Sequence, residues 1–142
     1  MNSIKFSHGE HNVSLDLRPP ITVITGDTSS GKTLVWNWLK LQAQLPENFL
    51  RYENCLFVNH ETRAIDFMQL TDKFIFIDNG DLVFLQNKKL PALIRRNDGN
   101  NQYLILCRGE YDLGVSPNHY ATIREADRNF TLEYEFDVAG WY

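Results

Sequence analysis

The stretch ITVITGDTSSGKTLVWNWL, Ile21 to Leu39, decides how the rest of the chain is read. Its first five residues, Ile21 to Thr25, are all β-branched, as suits a strand buried on both faces. A Gly, Asp, Thr and Ser loop follows, and from Lys32 the spacing turns helical. Leu34, Trp38, Leu41 and Leu45 recur at intervals of four, three and four, with Val35 and Leu39 beside them. Pro46 ends that pattern. The spacing puts Trp38 in the core and Trp36 at the margin of the stripe, since residues two apart do not share a helix face.

Outward from this stretch, strand and helix signals alternate. SIKFSHGEHNVSLDL alternates apolar and polar residues on both sides of HGEHN, the pattern of a hairpin with a glycine in its turn. NCLFVNHE, Asn54 to Glu61, predicts a short strand, and TRAIDFMQL a short helix after it. DKFIFIDNGD sets four apolar residues before an aspartate, as a central strand would. DLVFLQNKKLPALIRR reads as helical and interrupted by Pro91, and QYLILCRG as another buried strand. HYATIREA and NFTLEYEFDV alternate around DRN, predicting a second hairpin at a sheet edge. Strands alternating with helices predict a mostly parallel sheet wrapped by helices.

At 142 residues the chain fits one domain, 1–142, and a chain of that size buries roughly two-thirds of its unfolded surface. With 43% hydrophobic and 13% aromatic residues it can build a core, which argues against disorder. The net charge of -4 gives no global basic field to recruit nucleic acid or anionic lipid. Cys55 and Cys107 both sit in apolar runs and read as buried free thiols. The N-terminus lacks a cationic start followed by an apolar core, so no secretory signal is expected. Apolar runs of about five residues are too short for a membrane span, and a cytoplasmic protein is expected.

GDTSSGKT, Gly26 to Thr33, matches G-x-x-x-x-G-K-[ST] at every fixed position. Glycines allow a tight backbone curl in which successive N–H groups point inward as an anion nest. The helix beginning near Lys32 adds the positive end of its dipole. Gly26, Asp27, Thr28, Ser29, Ser30 and Gly31 would cradle phosphates. Lys32 would reach the β- and γ-phosphates, and the Thr33 hydroxyl would ligate magnesium. A chain of this length matches such a pattern by chance roughly once in a few hundred. Its position between a strand and a helix is the context that would confirm it.

On these residues the chain resembles the P-loop NTPase superfamily from Ile21 to about Gly109. GDTSSGKT is similar to the Walker A motif, and FIFID, Phe74 to Asp78, to Walker B. The resemblance implies a three-layer α/β core with a mostly parallel sheet and antiparallel hairpins at its edges. It implies a minimal RecA-like, AAA-like or ABC-like ATPase core in which Asp78 holds magnesium through a water. Glu61 resembles, in its placement, the catalytic glutamate of RecA-like ATPases, with a helix N-terminal acid as the alternative reading. Many members carry a glutamate directly after the second-motif aspartate, and here that position is Asn79. Arg108 occupies the end of a strand where related ATPases carry a sensor residue, and could contact a γ-phosphate or pair with Asp78, Asp81 or Glu110. Asp81 reads as a substitute catalytic acid or as a helix cap.

The function so implied is binding of Mg-ATP, or Mg-GTP, with Lys32, Glu61, Asp78 and Arg108 as catalytic residues and Thr33 and Asp78 at the metal. Slow hydrolysis would make the chain a switch or the motor core of a larger assembly, with a second copy or another protein as partner. Arg63, Arg95 and Arg96 are the arginines available to a neighbouring subunit. The N-K-x-D sequence of GTP-specific members is absent, which tilts the base towards adenine. Two other readings stand beside this one: a non-catalytic nucleotide- or anion-binding interaction module, and a small-molecule kinase. No histidine spacing suggests zinc.

Overall fold

Two hairpins and a parallel quartet make up the fold of this chain, whose computed structural model describes residues 1–26, 31–63 and 65–136. Strands β1 (Ser3–His8) and β2 (His11–Asp16) pair antiparallel across Gly9, with Ile4 opposite Leu15 and Phe6 opposite Val13. Strands β7 (Tyr120–Ala126) and β8 (Asn129–Tyr134) pair through a two-residue turn. Its residues Asp127 and Arg128 both have positive φ, as the tightest hairpins require. Between the hairpins lie β3 (Ile21–Thr25), β4 (Cys55–Val58), β5 (Phe74–Ile77) and β6 (Gln102–Leu106). β3, β5 and β6 are almost wholly buried, which is why each reads as a continuous apolar run rather than an alternating one.

The eight strands of the described residues form one sheet in the order β1-β2-β8-β7-β3-β6-β5-β4. β4, β5, β6 and β3 run parallel, and β3 also pairs parallel with β7. The other half alternates, because β2 pairs parallel with β8 while each belongs to an antiparallel hairpin. Arg128 and Glu10 join the two hairpin tips at 2.6 Å, and the Asn12 N–H donates to the Arg128 carbonyl.

This sheet corrects the expected architecture. The fold is a curled, mixed, strand-rich sheet, not a three-layer core with a mostly parallel sheet. The C-terminal hairpin is not at an edge: β7 and β8 lie inside the sheet, and the edges are β1 and β4. The physical reason is that each hairpin would otherwise leave a strand edge unpaired, and β2 and β8 satisfy each other. The helical layers are thin as well. One face carries α1 (Lys32–Gln44) and the four-residue α2 (Phe49–Tyr52). The other carries α3 (Gly80–Gln86) and α4 (Leu90–Arg96), seven residues each. The connection from β4 to β5, expected as a short helix, holds among its described residues a 3-10 turn at Phe67–Gln69. The Asp66 side chain accepts the Met68 N–H there, a local bond that competes with helix.

α1 is also turned from its expected phase. Val35, Trp36 and Leu39 are buried against β3, β5 and the hairpins, while Leu34 and Leu41 are about half exposed at 49% and 50%. Trp36 meets Phe57 edge-on, with ring centroids 5.4 Å apart. Trp38 is the marginal residue, stacked against both His8 and His11. Two interleaved stripes were available at helical spacing. The one that includes Lys32 and Trp36 faces the sheet.

Candidate functional site

Positive φ at both motif glycines brackets the turn from β3 into α1: Gly26 at 122° and Gly31 at 90°. Asp27, Thr28, Ser29 and Ser30 lie outside the described residues. Gly26 is fixed by a bridge to Gly109, whose N–H donates to the Gly26 carbonyl at 2.7 Å. Gly31 sits so close to β8 that a Cβ there would lie 3.0 Å from the Phe130 ring. The Lys32 side chain folds back, only 6% exposed, and its ammonium donates to the Gly26 carbonyl at 2.5 Å. Thr33 is exposed in the first turn of α1.

Asp78 follows β5 directly, and its N–H donates to the Val58 carbonyl of β4 at 2.8 Å. Burial raises its carboxyl above the usual value. The Asn79 N–H and the electrostatic influence of His60, Arg108 and Lys32 oppose that rise. Arg108 is exposed at the end of β6. Glu61 stands further out. Its side chain is 80% exposed, 3.8 Å from His60, in a turn where its N–H donates to the Asn59 side chain. It therefore starts no helix. His60 in turn lies 3.3 Å from the Asn79 amide.

Behind Asp78 the first turn of α3 approaches β6 closely. A Cβ on Gly80 would fall 2.8 Å from Ile105 and 3.0 Å from the Cys107 sulfur, so this contact needs glycine. Asp81 lies in that turn, with Asn79 rather than Asp81 in the capping position. One Asp81 carboxylate oxygen is buried with no hydrogen-bond partner among the described residues. The Cys107 thiol beside it is pushed up to about 12, chiefly by burial and further by the Asp81 charge. It is inert as a nucleophile at neutral pH.

Among the described residues no three His, Cys, Asp or Glu side chains group as metal ligands. The donor set therefore does not make a protein-only cage. Thr33 and Asp78 offer one hydroxyl and one carboxylate as oxygen donors. Of the arginines proposed for a neighbouring subunit, Arg95 donates to the Leu113 carbonyl at 2.7 Å and Arg96 pairs with Asp98. Arg63 is exposed.

Two features escaped sequence reasoning. His60 carried no spacing signal, because its neighbours at Asp78 and Asn79 come from a different strand. A cleft of about 1090 Å³ opens beside Gly26 and Gly109, walled by the segment after β6 and by β7 and β8. Its lining comes from segments far apart in the chain, and no local pattern could announce it.

No protein-family model matches the chain, and no curated protein matches it. Together with the curled mixed sheet, this corrects the resemblance to the P-loop NTPase superfamily: the chain is not assigned to it. No helix among the described residues is long and apolar enough to cross a membrane.

Proposed function

We propose that this chain binds a magnesium nucleoside triphosphate, ATP in preference to GTP, at the turn between β3 and α1. The observation that carries the reading is the geometry of the motif's fixed positions. Gly26 and Gly31 both adopt positive φ, and the buried Lys32 ammonium is held at the Gly26 carbonyl, at the head of a 13-residue helix. Those features suit an anion nest with a lysine beside it. Asp78, with Lys32 and Arg108 in its electrostatic surroundings, would hold magnesium shared with the phosphates. Magnesium would supply charge neutralisation between the phosphate oxygens. A nucleotide-dependent switch is the role this binding would serve.

The test is thermal unfolding with Mg-ATP, Mg-GTP and each nucleotide in EDTA. A ligand at one hundred times its Kd stabilises the fold by about 2.7 kcal/mol, and a clear rise in midpoint with Mg-ATP is the expected result. An unmoved midpoint at millimolar ligand would count against the reading.

Slow hydrolysis is a second reading, favoured by the exposed Glu61 carboxylate 3.8 Å from His60, itself in the field of Asp78. Glu61 would polarise the attacking water. In single-turnover measurements, Glu61→Gln is expected to slow phosphate release about 100-fold or more, the scale of a lost general base. It should leave the Mg-ATP thermal shift unchanged. Equal release by variant and native chain would remove Glu61 from the chemistry.

A further inference from the structure

The cleft of about 1090 Å³ beside Gly109 differs in chemistry from the turn that precedes α1. The carboxylates Glu110, Asp112, Glu133 and Glu135 line it, with the rings of Tyr111, Tyr120 and Phe136, and among the described residues no lysine, arginine or histidine does. At neutral pH such a lining repels a triphosphate. Aromatic faces and carboxylates together attract organic cations, and a planar guanidinium stacks on rings better than an ammonium does.

The walls are also held in place before any ligand arrives. The Tyr120 hydroxyl accepts the Leu113 N–H at 2.9 Å, and Arg95 ties the Leu113 carbonyl from below. Asp112 accepts the Gly114 N–H at 2.8 Å, which fixes the turn that carries it. The Glu135 N–H donates to the Tyr120 carbonyl, joining the two walls at one end. The chain already uses guanidinium chemistry at this rim. Arg18 lies 3.8 Å over the Tyr134 ring and donates to the carbonyls of Asn118 and Phe136. Tyr134 also lines the cleft.

We propose that the cleft receives an arginine side chain carried by a basic peptide segment of a protein partner. Its volume is large for one guanidinium and suits a short stretch of peptide, with the arginine seated between the rings and the carboxylates at the mouth. The cleft shares Thr25 and Gly26 with the β3–α1 turn, but the argument for an arginine rests on its carboxylates and rings and not on nucleotide binding.

The test uses three neutral-capped tripeptides, acetyl-Gly-Arg-Gly-amide and its lysine and citrulline counterparts, titrated into the full chain and followed by NMR of the tyrosine rings. The arginine peptide is expected to give saturable shifts at Tyr111 and Tyr120. Citrulline has the same shape without the charge and should bind about tenfold more weakly or worse, the loss of a charge-assisted contact. Lysine should fall between them. The double variant Glu110→Gln, Asp112→Asn keeps an acceptor for the Gly114 N–H, so its unfolding midpoint should stay close to native while arginine affinity drops about tenfold. Equal binding of arginine and citrulline, no saturation at millimolar peptide, or shifts confined to residues outside the cleft would each overturn the proposal.

Discussion

A Lys32→Ala chain is expected to bind Mg-ATP about 10- to 150-fold more weakly than the native chain, the range set by losing a hydrogen bond to a charged group. Its fold should persist. The Lys32 ammonium donates to the Gly26 carbonyl, and that carbonyl also accepts the Gly109 N–H at 2.7 Å. Removing the lysine therefore leaves the Gly26 carbonyl with a partner, where an orphaned acceptor would cost about 1–3 kcal/mol. A Lys32→Met variant keeps the apolar stem against the core and removes the charge alone. Both variants should show a smaller Mg-ATP thermal shift at the same ligand concentration and keep the unliganded midpoint within a few degrees. Native affinity in the Met variant would show that the charge is not used, and the phosphate assignment of the β3–α1 turn would fall with it.

Individual elements were legible in the sequence wherever a strand is buried on both faces. Phe74–Ile77 and Ile21–Thr25 are buried along nearly their whole length, so their apolar runs left no alternative pattern to confuse them. Pro46 and Pro91 punctuate helices for a local reason, a missing N–H and a fixed φ. What the chain does with its two hairpins was not legible. The pairing of Val13 with Phe130 joins residues more than a hundred positions apart, and the alternation of either strand would look the same at an edge. The phase of α1 failed for a related reason, since Leu34 and Leu41 fit a buried stripe as well as Val35, Trp36 and Leu39 do. Only the position of Phe57 and the hairpins decides between them.

The site shows the same division. Gly26, Gly31, Lys32 and Thr33 lie within eight positions of one another, and their geometry is a property of one turn. Asp78 could be read from the end of its strand. His60 and Asn79, which approach to 3.3 Å, come together only because β4 and β5 are parallel neighbours with Val58 opposite Ile77. That register carries the residues after both strands to the same end of the sheet, where α1 begins.

Substituting Asp78 by asparagine is expected to strengthen the fold and weaken magnesium-dependent binding, two effects with separate readouts. Burial holds the Asp78 carboxyl above its usual value of 3.8, so the folded chain keeps this proton more readily than the unfolded chain does. The stabilising contribution is complete below pH 3.8 and is lost as pH rises through the raised value. Above it the charged, half-buried carboxylate weighs against the fold. Asparagine carries no such penalty, so the variant should be more stable than the native chain at pH 7.5 by the order of 1 kcal/mol, typical of relieving a functional site. The advantage should shrink at pH 4.5, measured by urea unfolding at both values. A gap independent of pH would mean that burial of the charge is not its cause. In the presence of magnesium the same substitution should cost about 10- to 100-fold in ATP affinity, the scale on which metal sites respond to loss of a water-bridging partner. In EDTA that loss should vanish, because the only role left to Asp78 is to repel the phosphates that Lys32 attracts. A loss of equal size with and without magnesium would remove Asp78 from the metal and make it a structural residue of the turn after β5.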